Sequence, residues 1–167
     1  TELTKMTKMT KMTKTTEMTE AQVRSEVRAF LEENWSTDLS LVEWRNILVD
    51  SGWGAPHYPV EWWGKGLPAA MSLVVDEVIR EFDAVGAAKM GIRTLAGATI
   101  LAHGSDLHKK KYLRGILTGE ETWCQLFSEP GSGSDLAGAA TRADWKDGKW
   151  VINGQKIWTS GAQHSDF

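Results

Sequence analysis

Several features that mark particular protein classes are missing from this 167-residue sequence. It contains one cysteine, Cys124, so it can form no internal disulfide and holds no C-x-x-C redox or zinc motif. No apolar run approaches the roughly 18 residues that a membrane-spanning helix needs, and residues 1–20 lack the apolar stretch of a secretory signal. These absences exclude a disulfide-stapled scaffold, predict no membrane span and favour a cytoplasmic location.

The sequence also lacks a strong charge excess. Nineteen Lys and Arg residues face 22 Asp and Glu residues, which leaves a formal net charge of -3. Nucleic-acid binders usually carry a clear positive excess, and the one basic cluster, Lys109 to Lys111 with Arg114, fits a solvated helix face. With 41% hydrophobic and 25% charged residues the composition is that of a folded globular protein. We therefore expect no nucleic-acid partner.

Tryptophan, by contrast, is abundant, with nine residues in the chain. Most of these side chains are expected to anchor a core, because an indole buries a large apolar area. A tryptophan that instead lies against a planar ligand needs independent support at its own position.

The chain divides into three parts by composition. Residues 4–12 read Thr-Lys-Met three times over and residues 1–18 lack aromatic residues, which predicts a disordered low-complexity tail over 1–18. Residues 19–121 are predicted to form a helical domain, in which capping boxes at Thr19 with Gln22 and at Ser40 with Glu43 mark helix starts. Apolar periodicity predicts helices over 20–33, from Ser40 to Gly52, over 69–83 and over 106–118, while the small-residue stretch 86–104 suits tight helix packing.

After Gly119 the sequence pattern changes from one typical of helices to one typical of strands and turns. Residues 123–127 are typical of a buried strand, and Asp147-Gly148 and Asn153-Gly154 are dipeptides typical of hairpin turns. They predict strands over 139–145, 149–152 and 155–159. Helices followed by strands indicate an α+β protein in which 122–167 is the start of an antiparallel β-domain that the sequence does not complete.

The segment from Glu129 to Asp135 is the densest candidate for chemistry. Gly131 and Gly133 would let the backbone approach a ligand, and the hydroxyls of Ser132 and Ser134 could help to hold a phosphate. The segment lacks the glycine pattern of a dinucleotide-binding fingerprint and the Gly-Lys-Ser/Thr of a P-loop. A plain polar turn is the alternative, and the segment alone leaves both open.

No hydrolase or metal motif competes with this segment. His103 and His108 are one residue too far apart for a zinc-binding helix, and neither Ser134 nor Ser160 lies in a G-x-S-x-G elbow. Cys124 lies inside the predicted strand, where we expect it to act as an inert small apolar residue rather than a nucleophile. We predict no metal site.

Two ordered blocks, 123–137 and 152–162 with Asp147-Gly148 between them, strongly resemble the acyl-CoA dehydrogenase family. Upstream dipeptides and tripeptides are similar to that family's helical domain, namely Gly52-Trp53, His57-Tyr58-Pro59, Gly64-Lys65-Gly66 and the run Leu101-Ala102-His103-Gly104. The resemblance covers about 19–167. Trp63 is a departure, because a glycine pair is usual there.

The resemblance implies an FAD enzyme with an N-terminal helical domain, a middle β-domain and a C-terminal helical bundle, commonly a tetramer. In relatives a glutamate removes the α-proton of an acyl-CoA while the β-hydrogen leaves as hydride to the flavin, giving a trans-2-enoyl-CoA. Electrons then pass to an electron-transfer flavoprotein. That glutamate lies in the bundle, beyond Phe167, so no catalytic residue is assigned in this chain.

Carried over by position, the resemblance implies two flavin-contacting stretches, one from Gln125 to Ser134 and one from Trp158 to Ser160. In the first, Ser134 also lies near the acyl-CoA, and in the second, Trp158 lies against the flavin ring. The expected cofactor-binding residues are Gln125, Leu126, Phe127, Ser128, Gly133, Ser134, Trp158, Thr159 and Ser160.

Three functional readings follow. The leading one is the N-terminal portion of a flavin-dependent acyl-CoA dehydrogenase, inactive alone and binding FAD weakly, within a homo- or hetero-oligomer. The second is a non-catalytic accessory subunit of a heteromeric acyl-CoA dehydrogenase. The third keeps the fold but changes the chemistry to that of a related flavin oxidase or monooxygenase.

Overall fold

The structure is a computed structural model and describes residues 18–89 and 91–167. The predicted disordered tail therefore lies outside the described residues, apart from Met18, which is half-buried against the core. Within the described ranges five helices precede two strands: α1 (Glu20–Asn34), α2 (Leu41–Asp50), α3 (Met71–Glu81), α4 (Ile92–His103), α5 (Asp106–Thr118), β1 (Arg142–Lys146) and β2 (Lys149–Asn153). The predicted α+β class is confirmed.

Helices α1 and α2 begin where the capping boxes predict. The Gln22 amide donates to the Thr19 hydroxyl at 3.3 Å, and the Thr19 amide donates back to the Gln22 side chain at 2.8 Å. Ser40 and Glu43 repeat this arrangement at the start of α2. Because each box supplies partners for amides that the helix leaves unpaired, these starts are determined locally.

The larger core cluster lies between α1, α2 and α3. It is built from one apolar stripe of each helix together with Trp53, and its buried members are Val23, Val27, Leu31, Trp44, Leu48, Trp53, Val75, Val78 and Ile79. At the solvent edge, Arg24 and Arg28 of α1 form ion pairs with Glu77 and Glu81 of α3. The stripes recur at three and four residues, which is why the sequence predicts these helices.

A second cluster joins the end of α2, the loop after it and α5. Its buried members are Val49, Ala55, Tyr58, Leu113 and Leu117. On the outside of this contact Arg114 donates to both carboxylate oxygens of Asp50 at 2.8 Å and to Asn46 at 2.6 Å. Arg114 is therefore an inter-helix tie rather than part of a purely solvated face.

The loop 52–68 depends on close backbone approach. A Cβ atom on Gly64 would lie 1.9 Å from the carbonyl oxygen of Tyr58. Trp63, just before it, has a left-handed backbone with φ of 62°, the conformation that favours the glycine expected there from the family. The Trp63 ring is partly buried against the second cluster, and this packing offsets the strain.

The stretch 86–104 contains α4, a helix that the sequence analysis did not delimit. It packs against α5, and the space is tight at Gly97, where a Cβ would lie 2.9 Å from the hydroxyl oxygen of Tyr58. The expectation of close helix packing in this small-residue stretch is thus confirmed.

The Asp147-Gly148 turn joins β1 and β2 as predicted, with both residues at positive φ. β1 begins at Arg142, three residues later than expected. Trp145 and Trp150 face each other across the pair but are 60% and 63% exposed, so the expectation that most tryptophans anchor a core is wrong for these two. Trp44 and Trp53 are buried and do fulfil it.

The second predicted hairpin does not form among the described residues. β2 ends at Asn153, and residues 155–159 join no strand. The chain turns away because Lys156 and Ile157 bond to an earlier segment: the Lys156 ammonium donates to the Phe127 carbonyl at 3.1 Å, and the Ile157 amide donates to the Ser128 carbonyl at 3.0 Å. The local turn preference of Asn153-Gly154 is overridden by these distant partners.

Candidate functional site

Residues 122–129 form an extended segment, which we call the first segment, that runs beside the last twelve residues of the chain. At one end the Ile157 amide reaches Ser128, and at the other the Cys124 amide donates to the Phe167 carbonyl at 2.8 Å. Between these two ties the chain bulges outward over 158–165, the second segment. The beginning of the stretch 125–134 and the stretch 158–160, which the family resemblance implies for flavin contact, are therefore held close to each other by the bond between Ile157 and Ser128.

The prediction that 123–127 is a buried strand is wrong. No ladder forms there, since the bonds to 156–157 and 166–167 are isolated, and Leu126 and Phe127 are 55% and 50% exposed. Cys124 is half-buried rather than sealed in a core. The apolar run that suggested burial instead presents its side chains to a groove.

That groove lies between α4 and the first segment and has a volume of about 220 Å³. Its wall on α4 repeats at three and four residues, and the whole lining is Ile92, Leu95, Ala96, Thr99, Ile100, Trp123, Cys124, Gln125, Leu126 and Phe127. The lining is predominantly apolar, so the groove can hold an apolar group. Sequence reasoning missed this wall, although the spacing of the apolar residues in 92–100 carried the signal.

Trp158 stands apart from the other tryptophans. Its side chain is 86% exposed and its backbone has a left-handed φ of 56°. A bulky residue in this conformation is strained, and such strain concentrates at functional positions. Thr159 beside it is half-buried, and Ser160 is exposed.

The carboxylate of Glu129 accepts three hydrogen bonds within the site. Its carboxylate accepts from the Lys156 ammonium at 2.7 Å and from the amides of Ala140 and Thr141 at 2.6 and 3.0 Å. Lys156, aided by these hydrogen bonds, lowers the pKa of Glu129 to about 2. A carboxylate so fully engaged is unsuited to accept a proton as a catalytic base.

The Ser/Gly loop divides into an inner and an outer part. Ser132 is buried and its hydroxyl donates to the Asp135 carbonyl, so Ser132 cannot help to hold a phosphate as expected. Gly133 and Ser134 are exposed, and a Cβ at Gly133 would meet nothing within 4 Å. Gly131 is exposed and equally open, so Gly131, Gly133 and Ser134 remain accessible to a ligand while Ser132 does not.

The described residues contain neither a metal-binding cluster nor a membrane-spanning helix. In the ranges 18–89 and 91–167 no three His, Cys, Asp or Glu side chains are grouped as a metal ion would require. None of the helices in those ranges combines the length and apolarity needed to cross a bilayer.

The helical domain, the hairpin that follows it and the paired segments define a class of protein. A family model described as the acyl-CoA dehydrogenase N-terminal domain matches residues 13–120, and one described as the middle domain of the same family matches 124–167. The chain is 32% identical to acyl-CoA dehydrogenase IpdE1 of Mycobacterium tuberculosis over 163 residues, covering 87% of this chain and 42% of that protein. The chain belongs to the acyl-CoA dehydrogenase family.

Other relatives agree with this assignment. Acyl-CoA dehydrogenase FadE34 of Mycobacterium tuberculosis is 42% identical over 115 residues, which is 69% of this chain and 16% of that protein. The solved ChsE4-ChsE5 complex from Mycobacterium tuberculosis matches with a TM-score of 0.57 at 30% identity, covering 88% of this chain and 40% of that one. The Tcur3481-Tcur3483 steroid ACAD matches at 30% identity with a TM-score of 0.55, covering 88% and 41%. The chain thus spans less than half the length of these relatives.

Proposed function

We propose that this chain supplies the N-terminal helical domain and the first part of the β-domain of a flavin-dependent acyl-CoA dehydrogenase. The enzyme would convert an acyl-CoA to a trans-2-enoyl-CoA and pass the electrons to an electron-transfer flavoprotein. The observation that carries the proposal is the bond between Ile157 and Ser128, because the exposed apolar residues Leu126, Phe127 and Trp158 all lie within two residues of it in the chain.

The residues on these segments suit one side of an FAD site. Leu126, Phe127 and Trp158 offer apolar surface at which a planar ring could stack, and Gln125, Thr159 and Ser160 offer polar groups around it. The Ser128 carbonyl accepts a hydrogen bond from the Ile157 amide, so a bound cofactor would meet the amide or the hydroxyl of Ser128 rather than that oxygen. When bound, FAD would supply the hydride acceptor.

The exposed part of the Ser/Gly loop and the apolar groove suit a phosphate and an acyl group, respectively. Exposed Gly133 and Ser134 would approach a phosphate of the cofactor, and Ser134 would also contact the acyl-CoA. The groove beside α4 would take the acyl group, because its lining is mostly apolar and includes Leu126 and Phe127, which are also proposed to contact the flavin. The small side chains Ala96 and Thr99 leave room for a bulky acyl group, in keeping with the word steroid in the name of one solved relative.

A purified 167-residue chain should bind FAD weakly and show no acyl-CoA-dependent dye reduction. No carboxylate in it matches the base that relatives carry in their bundle, and Glu129 is committed to Lys156. Dye reduction by the purified chain alone would contradict this expectation.

FAD titration of the purified chain tests the proposal. We expect saturable quenching of flavin fluorescence, and Trp158→Ala should weaken FAD binding roughly tenfold because a stacking surface is lost. Trp150→Ala is the matched control, since Trp150 is also exposed but lies on the hairpin. Absence of saturable binding, or equal binding by Trp158→Ala and wild type, would contradict the proposed site.

A role within a heteromeric dehydrogenase is the second candidate. Two of the solved relatives have names that join two components, ChsE4-ChsE5 and Tcur3481-Tcur3483. Affinity purification of this chain from its natural source should then recover a longer homologous chain in fixed stoichiometry. Recovery of assemblies containing only one chain type would count against this role.

A further inference from the structure

The ion pair between Glu129 and Lys156 links parts of the chain that are far apart in sequence. Glu129 is 7% exposed in its side chain and Lys156 is 24% exposed, so the pair is largely shielded from water. Through the amides of Ala140 and Thr141 the same carboxylate also holds the residues just before β1. Three stretches of chain, around residues 129, 140–141 and 156, therefore meet at one carboxylate.

Lys156 makes a second contact that matters for the site. Its ammonium also donates to the carbonyl of Phe127, in the first segment, and the next amide, Ile157, donates to Ser128. Trp158 follows directly and has the left-handed backbone. The position of Lys156 thus determines where the second segment leaves the first and where the exposed indole is placed.

We infer that Glu129 and Lys156 are positioning residues, whose ion pair holds the start of the second segment, and Trp158 with it, beside the first segment for flavin contact. This inference rests on the proposed function. Neither side chain needs to touch the cofactor, because each acts through the backbone of Phe127, Ser128 and Ile157. A shielded ion pair suits this role, since removing one partner leaves the other charge without compensation and so favours local rearrangement.

The inference makes a local prediction that can be measured without cofactor. In Lys156→Met the amide of Ile157 should exchange with solvent at least roughly tenfold faster than in wild type, because its bond to Ser128 is no longer supported. Amides of the buried helix residues Trp44 and Leu48 should keep their protection, which shows that the helical core remains folded. Lys156→Arg keeps the charge and should restore most of the protection at Ile157.

FAD titration of the same variants then tests the positioning role. Lys156→Met and Glu129→Gln should weaken FAD binding roughly tenfold and change the shape of the bound flavin absorption band, whereas Lys156→Arg should retain both. Arg142→Met is the matched control, because it also removes one positive charge near the hairpin, from a pair in which Arg142 is 76% exposed.

The outcomes separate the inference from the proposed function. If wild type binds FAD and Lys156→Met binds it equally, with an unchanged absorption band, the positioning role is wrong while the proposed function stands. Unchanged exchange at Ile157 in Lys156→Met also overturns the positioning role. If wild type takes up no FAD while Ile157 exchange still responds to Lys156→Met, the ion pair is structural only and the flavin site proposed in this chain is wrong.

Discussion

The backbone amide of Ile157 donates a hydrogen bond to the carbonyl of Ser128 at 3.0 Å. This single bond joins two stretches that are separated in sequence by the Ser/Gly loop and the whole β-hairpin. It explains why the expected third strand is missing, because the amide that would have extended the sheet is used here. It also makes the first and second segments neighbours.

Closing the space at Gly64 should destabilise the helical domain. In Gly64→Ala the new methyl group would lie 1.9 Å from the Tyr58 carbonyl oxygen, and backbone must move to accommodate it. We expect the free energy of unfolding to fall by about 2–3 kcal/mol, as for other overpacked sites, measured by urea denaturation. Gly86→Ala is the control, since a Cβ there meets nothing within 4 Å. Equal stability of both variants would show that the loop around Gly64 differs from the one described.

Truncating Leu48 should open a cavity in the larger core cluster. The Leu48 side chain is fully buried, and Leu→Ala changes at such positions typically cost about 2–5 kcal/mol. Leu107→Ala provides the matched control, because Leu107 on α5 is 81% exposed. Thermal unfolding followed by circular dichroism would compare them. A Leu48→Ala variant as stable as Leu107→Ala would contradict the packing of α1, α2 and α3.

The tie between α5 and α2 should depend on Arg114. Replacing this residue in Arg114→Met removes its bonds to Asp50 and Asn46, and because the side chain is partly exposed the loss should be about 0.5–1 kcal/mol. The difference from wild type should shrink at high salt, since part of it is a screened ion pair. Lys110→Met removes one charge from an exposed position on the same helix and should have a smaller effect. A loss that salt does not change would instead point to packing by the side-chain stem.

Acid should weaken the β-domain part of the chain through Glu129. Lys156 and the amides around it lower the pKa of Glu129 from 4.5 to about 2, so the folded state holds the ionised carboxylate more strongly than the unfolded state does. The contribution of ionised Glu129 to the free energy of unfolding is present above about pH 4.5 and is lost as the pH falls towards 2. The stability difference between wild type and Glu129→Gln should therefore narrow over that range.

Urea midpoints measured between pH 6 and pH 2 would check this dependence on acid. Glu32→Gln removes an exposed carboxylate from α1 and controls for the loss of one acidic group. If wild type and Glu129→Gln differ by the same amount at every pH, Glu129 does not titrate with the lowered pKa.

Local signals account for much of the helical domain. Local sequence predicts the capping boxes at Thr19 and Ser40 and the apolar stripes of α1, α2 and α3. Helix caps and amphipathic faces involve residues only three or four positions apart. The same holds for the Asp147-Gly148 turn, whose positive φ values are a property of the dipeptide. The matching of family blocks placed the site segments in sequence, although their roles toward flavin stay predictions.

Tertiary contacts decided the rest. Residues 123–127 have the composition of a buried strand, yet they line an open groove, because their partners are isolated groups at 156–157 and 166–167 rather than a continuous strand. Asn153-Gly154 has the preference of a hairpin turn, yet Glu129 and Phe127 capture Lys156 and direct the chain elsewhere. The sequence by itself determined α1, α2, α3, α5, the first hairpin and the family, since short-range patterns encode them, whereas α4 was delimited only by the structure. The shape of the candidate site was decided by tertiary structure, because the shielded carboxylate of Glu129 binds Ala140, Thr141 and Lys156, which lie 11 to 27 residues further along the chain.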